Sequence, residues 1–311
     1  MMRRFLVVAA FLLAAVNGWA RSPLDVVPPG SNFVMVLDVV QAVNHPVTQR
    51  LVEAHLRGSD RQYLDGVKDA LGIDLAKDLD HVVLFGSTAD LQRLNVAVLG
   101  RFDPTKLIAV ASLTPGYAKV QLEGHDVHHL PQSDKPFVAF PAEGVMVAAN
   151  SLQELAGIYG ALAGKSVDRA AFATGERLAA DRPTVWLCAA QPDLRSYNLP
   201  GILGQATYEA IAATVTLADA GVRLVAEIKV REPEYASQMQ LGAYGLVALA
   251  QMGMRPDDPK RALLSRLLIE PGNEPGGLRV SLTVPYENVP GYSKGIRVHD
   301  DSSPADATPI E

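Results

Sequence analysis

YEAIAATVTLADAGVRLVAEIKV, residues 208–230, is the stretch whose reading decides the fold. Two apolar runs, Tyr208 to Ala218 and Val222 to Val230, flank Asp219-Ala220-Gly221. Both alternate apolar with other residues, the period of a half-buried antiparallel strand. An Asp and a Gly at the tip suit a tight turn. In the second arm Val222, Leu224, Ala226, Ile228 and Val230 share one face and Arg223, Glu227 and Lys229 the other, with Val225 the exception. The pattern places Glu227 and Glu209 on a solvated outer face. Lys229 and Arg231 lie beside them for cross-strand pairs worth well under about 1 kcal/mol when exposed.

Outward from the hairpin, a helix is expected over Pro233–Met252 and a second over Pro259–Leu268, before the alternating run Leu278–Val284 (LRVSLTV) returns as a strand. Upstream, Thr184–Ala190 reads as a strand and Leu194–Leu203 as a loop or short helix. The first half has the same rhythm. Asn32–Val40 reads as a strand, a helix follows over Asn44–Leu56 with Pro46 in its first turn, and Asp60 caps another that ends at Gly72. After a connector over 73–80 come strands at His81–Gly86 and Leu94–Phe102. Asp103-Pro104 opens a helix as cap and first residue. Short strands at Ala118–Leu122, Val127–Leu130, Pro136–Phe140 and Val145–Ala149 precede a helix whose capping box is Ser151 with Glu154.

Each half thus reads strand, helix, strand, strand, helix, strand. That order is the split βαβ, ferredoxin-like unit. The expected fold class is α+β: two ferredoxin-like halves, at 32–180 and 181–298, with antiparallel sheets and helices packed on one face. Two units side by side and one continuous sheet are both open.

The ends are different in kind. Arg3 and Arg4 precede the apolar run Phe5–Val16, and Gly18-Trp19-Ala20 supplies the small residues of a cleavage site. Residues 1–20 therefore read as a secretory signal peptide cut near Ala20. Its apolar run of about twelve residues is too short for a bilayer span. Residues 21–31 are a proline-rich lead, and the polar, Pro-containing segment 299–311 reads as a disordered tail. The expected location is the periplasm or the exterior of a bacterial cell, with no membrane span after cleavage.

Charge and cysteine content narrow the function. The chain carries 28 basic and 34 acidic residues. Loss of Arg3 and Arg4 with the leader leaves 26 against 34, a balance of −8, which argues against nucleic acid or an anionic membrane surface as partner. The single cysteine, Cys188, excludes an intramolecular disulfide. Its apolar neighbours Val185, Trp186 and Leu187 make it a buried structural thiol rather than a nucleophile.

The most suggestive cluster is Gly124-His125-Asp126-Val127-His128-His129. On a strand His125 and His129 share one face, and imidazole suits zinc or copper. A third ligand from elsewhere is needed, and His45, His55 and His81 complete no known motif. The plainer reading is an exposed polar hairpin in which His125, His128 and His129 are incidental. No Gly-x-Ser-x-Gly elbow, His-Glu-x-x-His, P-loop or dinucleotide fingerprint occurs. Asp38 reads as a strand-end side chain. No catalytic, cofactor-binding or metal-binding residue is assigned, and no cofactor.

Four passages carry a resemblance: VVPPGSNFVMVLDV (26–39), LGIDLAKDLDHVVLFG (71–86), VAVLGRFDPTKL (96–107) and GVMVAANSLQELAGIYGAL (144–162). Together they resemble a broad class of exported bacterial envelope proteins of uncharacterised role with an α+β repeat layout. The resemblance implies an α+β, non-enzymatic envelope protein and carries over no functional residue. The expected function is a binding or structural role, with the chain itself or another envelope protein as partner, through a hairpin edge or a helix face. Two alternatives stand beside it. One is a carrier or sensor holding an apolar small molecule between helix 233–252 and the sheet. The other is a metal-assisted hydrolase using His125 and His129.

Overall fold

In a computed structural model, residues 22–55, 72–192, 194, 205–255 and 257–289 are described. The expected signal peptide, the helix expected from Asp60, most of the 194–203 segment and the expected C-terminal tail lie outside them.

The strands are β1 (Phe33–Asp38), β2 (Leu79–Gly86), β3 (Asn95–Gly100), β4 (Ala118–Leu122), β5 (His125–His129), β6 (Phe137–Ala142), β7 (Val145–Ala149), β8 (Val185–Ala190), β9 (Tyr208–Ala218), β10 (Gly221–Val230), β11 (Leu268–Pro271) and β12 (Gly277–Val284). They form one 12-stranded sheet in the order β11-β12-β10-β9-β8-β1-β2-β3-β7-β6-β5-β4. The deciding hairpin forms as read, from Gly221 opposite Ala218 to Ile228 opposite Ile211.

The α+β class stands; the expected split βαβ pairing does not. That unit needs two parallel strands with a third between them. Here β1 lies directly against β2, antiparallel, from Phe33 opposite Gly86 to Asp38 opposite His81. β1 also pairs antiparallel with β8, Phe33 opposite Ala189, so the sheet runs unbroken between the two halves of the sequence. Strand–helix–strand rhythm cannot distinguish a crossover from a return to the neighbouring place, because both use the same elements in the same order.

Among the described residues the helices are α1 (Val39–Asn44), α2 (Pro46–His55), α3 (Leu75–Asp78), α4 (Pro104–Ala111), α5 (Leu152–Leu162), α6 (Ala173–Ala179), α7 (Pro233–Met252) and α8 (Pro259–Leu264). Asp38 ends its strand as expected, and its carboxylate accepts from the Gln41 amide at 2.8 Å to cap α1. Asp103 caps α4 through the Thr105 amide, also 2.8 Å. Ser151 caps α5 through the Glu154 amide, while Glu154 reaches back to the amide of Asn150 rather than Ser151. Each such bond satisfies an orphan N–H at a helix start and contributes about 1 kcal/mol.

Helices cover both faces of the sheet, not one. On the first face α5, α6 and the turn Pro23–Val26 bury a core that includes Val34, Val83, Phe85, Leu155, Ile158 and Cys188, all at or near zero exposure. On the second face, at the β10–β12 end, Ala236 and Met239 of α7 pack with Tyr208, Val230, Ile269 and Leu278. Strand alternation separates the two layers: Glu227 of β10 points toward α6, and Ile228 toward α7.

Candidate functional site: the uncovered face of the long helix

α7 begins with Pro233 in its first turn and carries no Asp, Glu, Lys or Arg from Tyr235 to Met254. Its inner line, Ala236, Met239, Ala243 and Val247, packs toward the sheet. Burying one such large side chain contributes about 1.5–3 kcal/mol. Gln240 Nε2 donates to the Ile269 carbonyl at 3.2 Å and the Tyr244 hydroxyl donates to the same oxygen, tying the helix to edge strand β11. These contacts fix how the helix is rotated.

The opposite side of α7 is covered by nothing among the described residues. Leu241 is 73 % exposed, Leu246 64 %, Leu249 65 %, Met252 79 % and Tyr244 48 %. At about 3.6 residues per turn, Leu241, Gly245, Ala248 and Met252 follow one line along the helix, with Leu249 beside it and Tyr244 and Leu246 on the flanks. Scattered exposed apolar side chains need no explanation, but a contiguous patch marks an interaction surface. The outward glycines are open as well: a side chain begun at Gly242 or Gly245 would meet no atom within 4 Å.

The carrier reading places its ligand between this helix and the sheet. Gly245 faces away from the sheet, and the helix–sheet seam is filled by Met239, Tyr208, Ile269 and Leu278. A crevice does occur beside α6, lined by Thr174, Arg177, Glu227, Lys229, Asn273 and Glu274. Its volume of ≈ 10 Å³ is that of a single water site.

That crevice adjoins an ion cluster centred on a buried carboxylate that alternation alone misplaces. Glu227, 4 % exposed, is not on a solvated face. Its carboxylate accepts from both terminal nitrogens of Arg177 on α6, Nη1 to Oε1 at 3.1 Å, and from Arg279 Nη1 on β12 at 2.8 Å. The carboxylate in turn raises the Arg177 guanidinium above its ordinary value. Lys229 bridges Glu209 at 3.2 Å and Glu274 at 2.7 Å, and these partners hold its ammonium above the usual lysine range. The cluster joins α6, β10 and β12, an assembling rather than a reacting arrangement.

The histidine strand is only partly exposed: His125 is open to solvent, whereas His128 is buried and His129 half-buried. His125 stacks on Tyr159 of α5 with ring centroids 4.5 Å apart, and His129 stacks on Phe137 of β6 at 4.9 Å. His128 is 3 % exposed, and its Nδ1 lies 2.8 Å from the Tyr117 hydroxyl. Burial pushes the His128 imidazole below 6.5; Lys119 acts in the same sense and Asp126 in the opposite one. Among the described residues no three His, Cys, Asp or Glu side chains gather as a metal cluster. Cys188 is fully buried, and burial pushes its thiol up to about 11.

No protein-family model and no curated protein matches the chain. Among solved structures it is similar to TP0453. Crystal form III of that protein superposes with a TM-score of 0.50 at 14 % identity, covering 89 % of this chain and 99 % of the other. Crystal form I gives 0.47 at 13 %, covering 88 % and 97 %. At such identity the likeness to form III concerns the fold, and it supports the α+β architecture. Among the described residues no helix is long and apolar enough to cross a membrane.

Which side of α7 stays uncovered is what the sequence does not specify. The signal of an uncovered side is in the sequence: a 20-residue helix whose second half is apolar or small all around except for Gln251 and carries no charge.

Proposed function

We propose that this protein is an exported component of the bacterial cell envelope that works by binding rather than by catalysis, with the outward face of α7 as its docking surface. The observation that carries the reading is the contiguous apolar face from Leu241 to Met252, whose large side chains are 48 to 79 % exposed. Leaving it in water is unfavourable by about 25 cal/mol per Å² of apolar surface, so a partner that covers it gains that term. The sheet edges are poorer docking sites. β11 is four residues long and ends at Pro271, and β4 carries the Lys119–Asp126 ion pair, both devices that discourage strand addition. Export rests on the charged, apolar and small-residue pattern of residues 1–20.

Cysteine protection in the cell tests the reading. Leu249→Cys and, as an exposed control, Glu143→Cys are expressed with the native leader and labelled with a membrane-impermeant maleimide. Cys188 is buried and stays silent. The expected result is labelling at 143 and protection at 249 in the cell, with both sites labelled in dilute purified protein. Equal labelling at 249 and 143 in the cell overturns the docking surface, and absence of labelling at 143 overturns export.

A further inference from the structure

Resting on that docking surface, we infer that its occupant is a second copy of this chain, with the two α7 helices packed antiparallel about a twofold axis that passes between Gly245 and Ala248. Three observations carry the inference. The line Leu241, Gly245, Ala248, Met252 has the four-three-four spacing of a helix–helix seam and is its own complement when reversed. Leu241 then meets the other copy's Met252, and Gly245 meets its Ala248.

Space is the second observation. Gly245 has no neighbour within 4 Å of an added Cβ, and Ala248 is exposed. Small residues at the centre of the seam let two helix axes approach to the short end of the roughly 8–10 Å range. The large side chains stand at the ends and flanks, where they close around that contact.

Area and charge are the third. The exposed parts of the five large side chains, with the glycines and alanine between them, present on the order of 600 Å². Covering that patch on both copies removes about 1,200 Å² from water, within the range of specific stable interfaces. An acidic chain repels its own copies, yet 235–254 is free of charge, so two molecules meet there without opposing like charges.

Sedimentation equilibrium of residues 21–311 with charge-swap variants tests the inference. Leu241→Lys and Met252→Glu stand at exposed positions, and unchanged melting temperatures show that both variants fold. The expected result is a wild-type dimer, each single variant dissociating at least about tenfold more readily, and dimer recovered in an equimolar mixture of the two. Recovery is specific to the antiparallel register, which sets the lysine of one variant against the glutamate of the other. A wild-type monomer at every soluble concentration, or a dimer indifferent to both variants, overturns the inference. If the monomer is nevertheless protected at Leu249→Cys in the cell, the docking surface stands with a different occupant. If that position is open, both readings fall.

Discussion

Gly175 of α6 rests directly on Cys188 of β8: a Cβ at 175 would stand 2.5 Å from the Cys188 Cβ and 3.2 Å from its Sγ. Trp186 closes the site from the side, its Cζ3 also 3.2 Å away. No real Cβ tolerates such a separation, so α6 must lift or β8 must yield. Gly175→Ala is expected to lower stability by about 1–3 kcal/mol despite its better helix propensity, measured by urea unfolding. An unchanged midpoint would mean that α6 does not seat on β8 as described. Gly175→Ala combined with Cys188→Ala relieves only part of the clash, because the Cβ at 188 remains.

The same burial sets an alkaline limit. The Cys188 thiol is held up to about 11 against 9.0 when unfolded, chiefly by loss of water, with Glu176 adding to the effect and the Gly175 amide opposing it. Between those values the unfolded chain loses its proton while the folded chain keeps it, so stability falls as pH rises from 9.0 toward 11. The loss amounts to about 2–3 kcal/mol at about 1.36 kcal/mol per unit. Chemical denaturation at several alkaline pH values, wild type against Cys188→Ala, isolates this slope from the titration of lysines and tyrosines. Parallel curves for the two proteins would show that the thiol ionises freely in the folded state.

Glu227 is the keystone between α6 and the sheet. Its carboxylate is 5 % exposed, whereas Arg177 and Arg279 are 35 % and 23 % exposed, so the acid carries most of the desolvation. Glu227→Gln keeps the shape and removes the charge that both guanidinium groups face. The expected cost is about 1–3 kcal/mol, read as a shifted urea midpoint. A double-mutant cycle of Glu227→Gln with Arg177→Met should show coupling; additive losses would mean that the bidentate contact contributes nothing.

Much of the sheet was legible because local signals and tertiary structure agree. β4, β7, β9 and α7 have the limits expected from alternation and capping, and Asp103 and Ser151 cap the helices they precede. Strand order was not, since β1 finds β8 across the whole first half of the chain and nothing in either run names its partner. α6 is not legible because Gly175, its third residue, lowers helix propensity and only Leu178 repeats the large apolar signal after Phe172. In β10 the break in alternation at Val225 was the clue: Val225 and Glu227 share a covered face, and Ile228 and Val230 pack on the other, so the second half of that strand is covered on both sides. The uncovered face of α7 was half legible. The absence of charge over 235–254 is in the sequence, while which side the sheet covers depends on where Tyr208 and Ile269 arrive from elsewhere.

His128 gives the acid side of the profile. It lies on β5 with its Nδ1 against the Tyr117 hydroxyl and the Phe140 ring edge-on at 5.9 Å, and burial disfavours its charged form. Its folded value is below 6.5, so as pH falls the unfolded chain takes up a proton first. The stability this group contributes is complete above 6.5, declines as pH drops below it, and is exhausted once the folded value is passed. The slope in that window is at most about 1.36 kcal/mol per pH unit for one proton. Proton NMR of the imidazole should place its titration below 6.5 in the folded protein. His128→Phe should flatten the acid limb of the unfolding free energy relative to wild type, even if the loss of the Tyr117 contact lowers the whole curve. A ring that titrates at or above 6.5 would mean that Asp126 outweighs burial and that the β4–β5 hairpin is wetter than its packing against Phe140 implies.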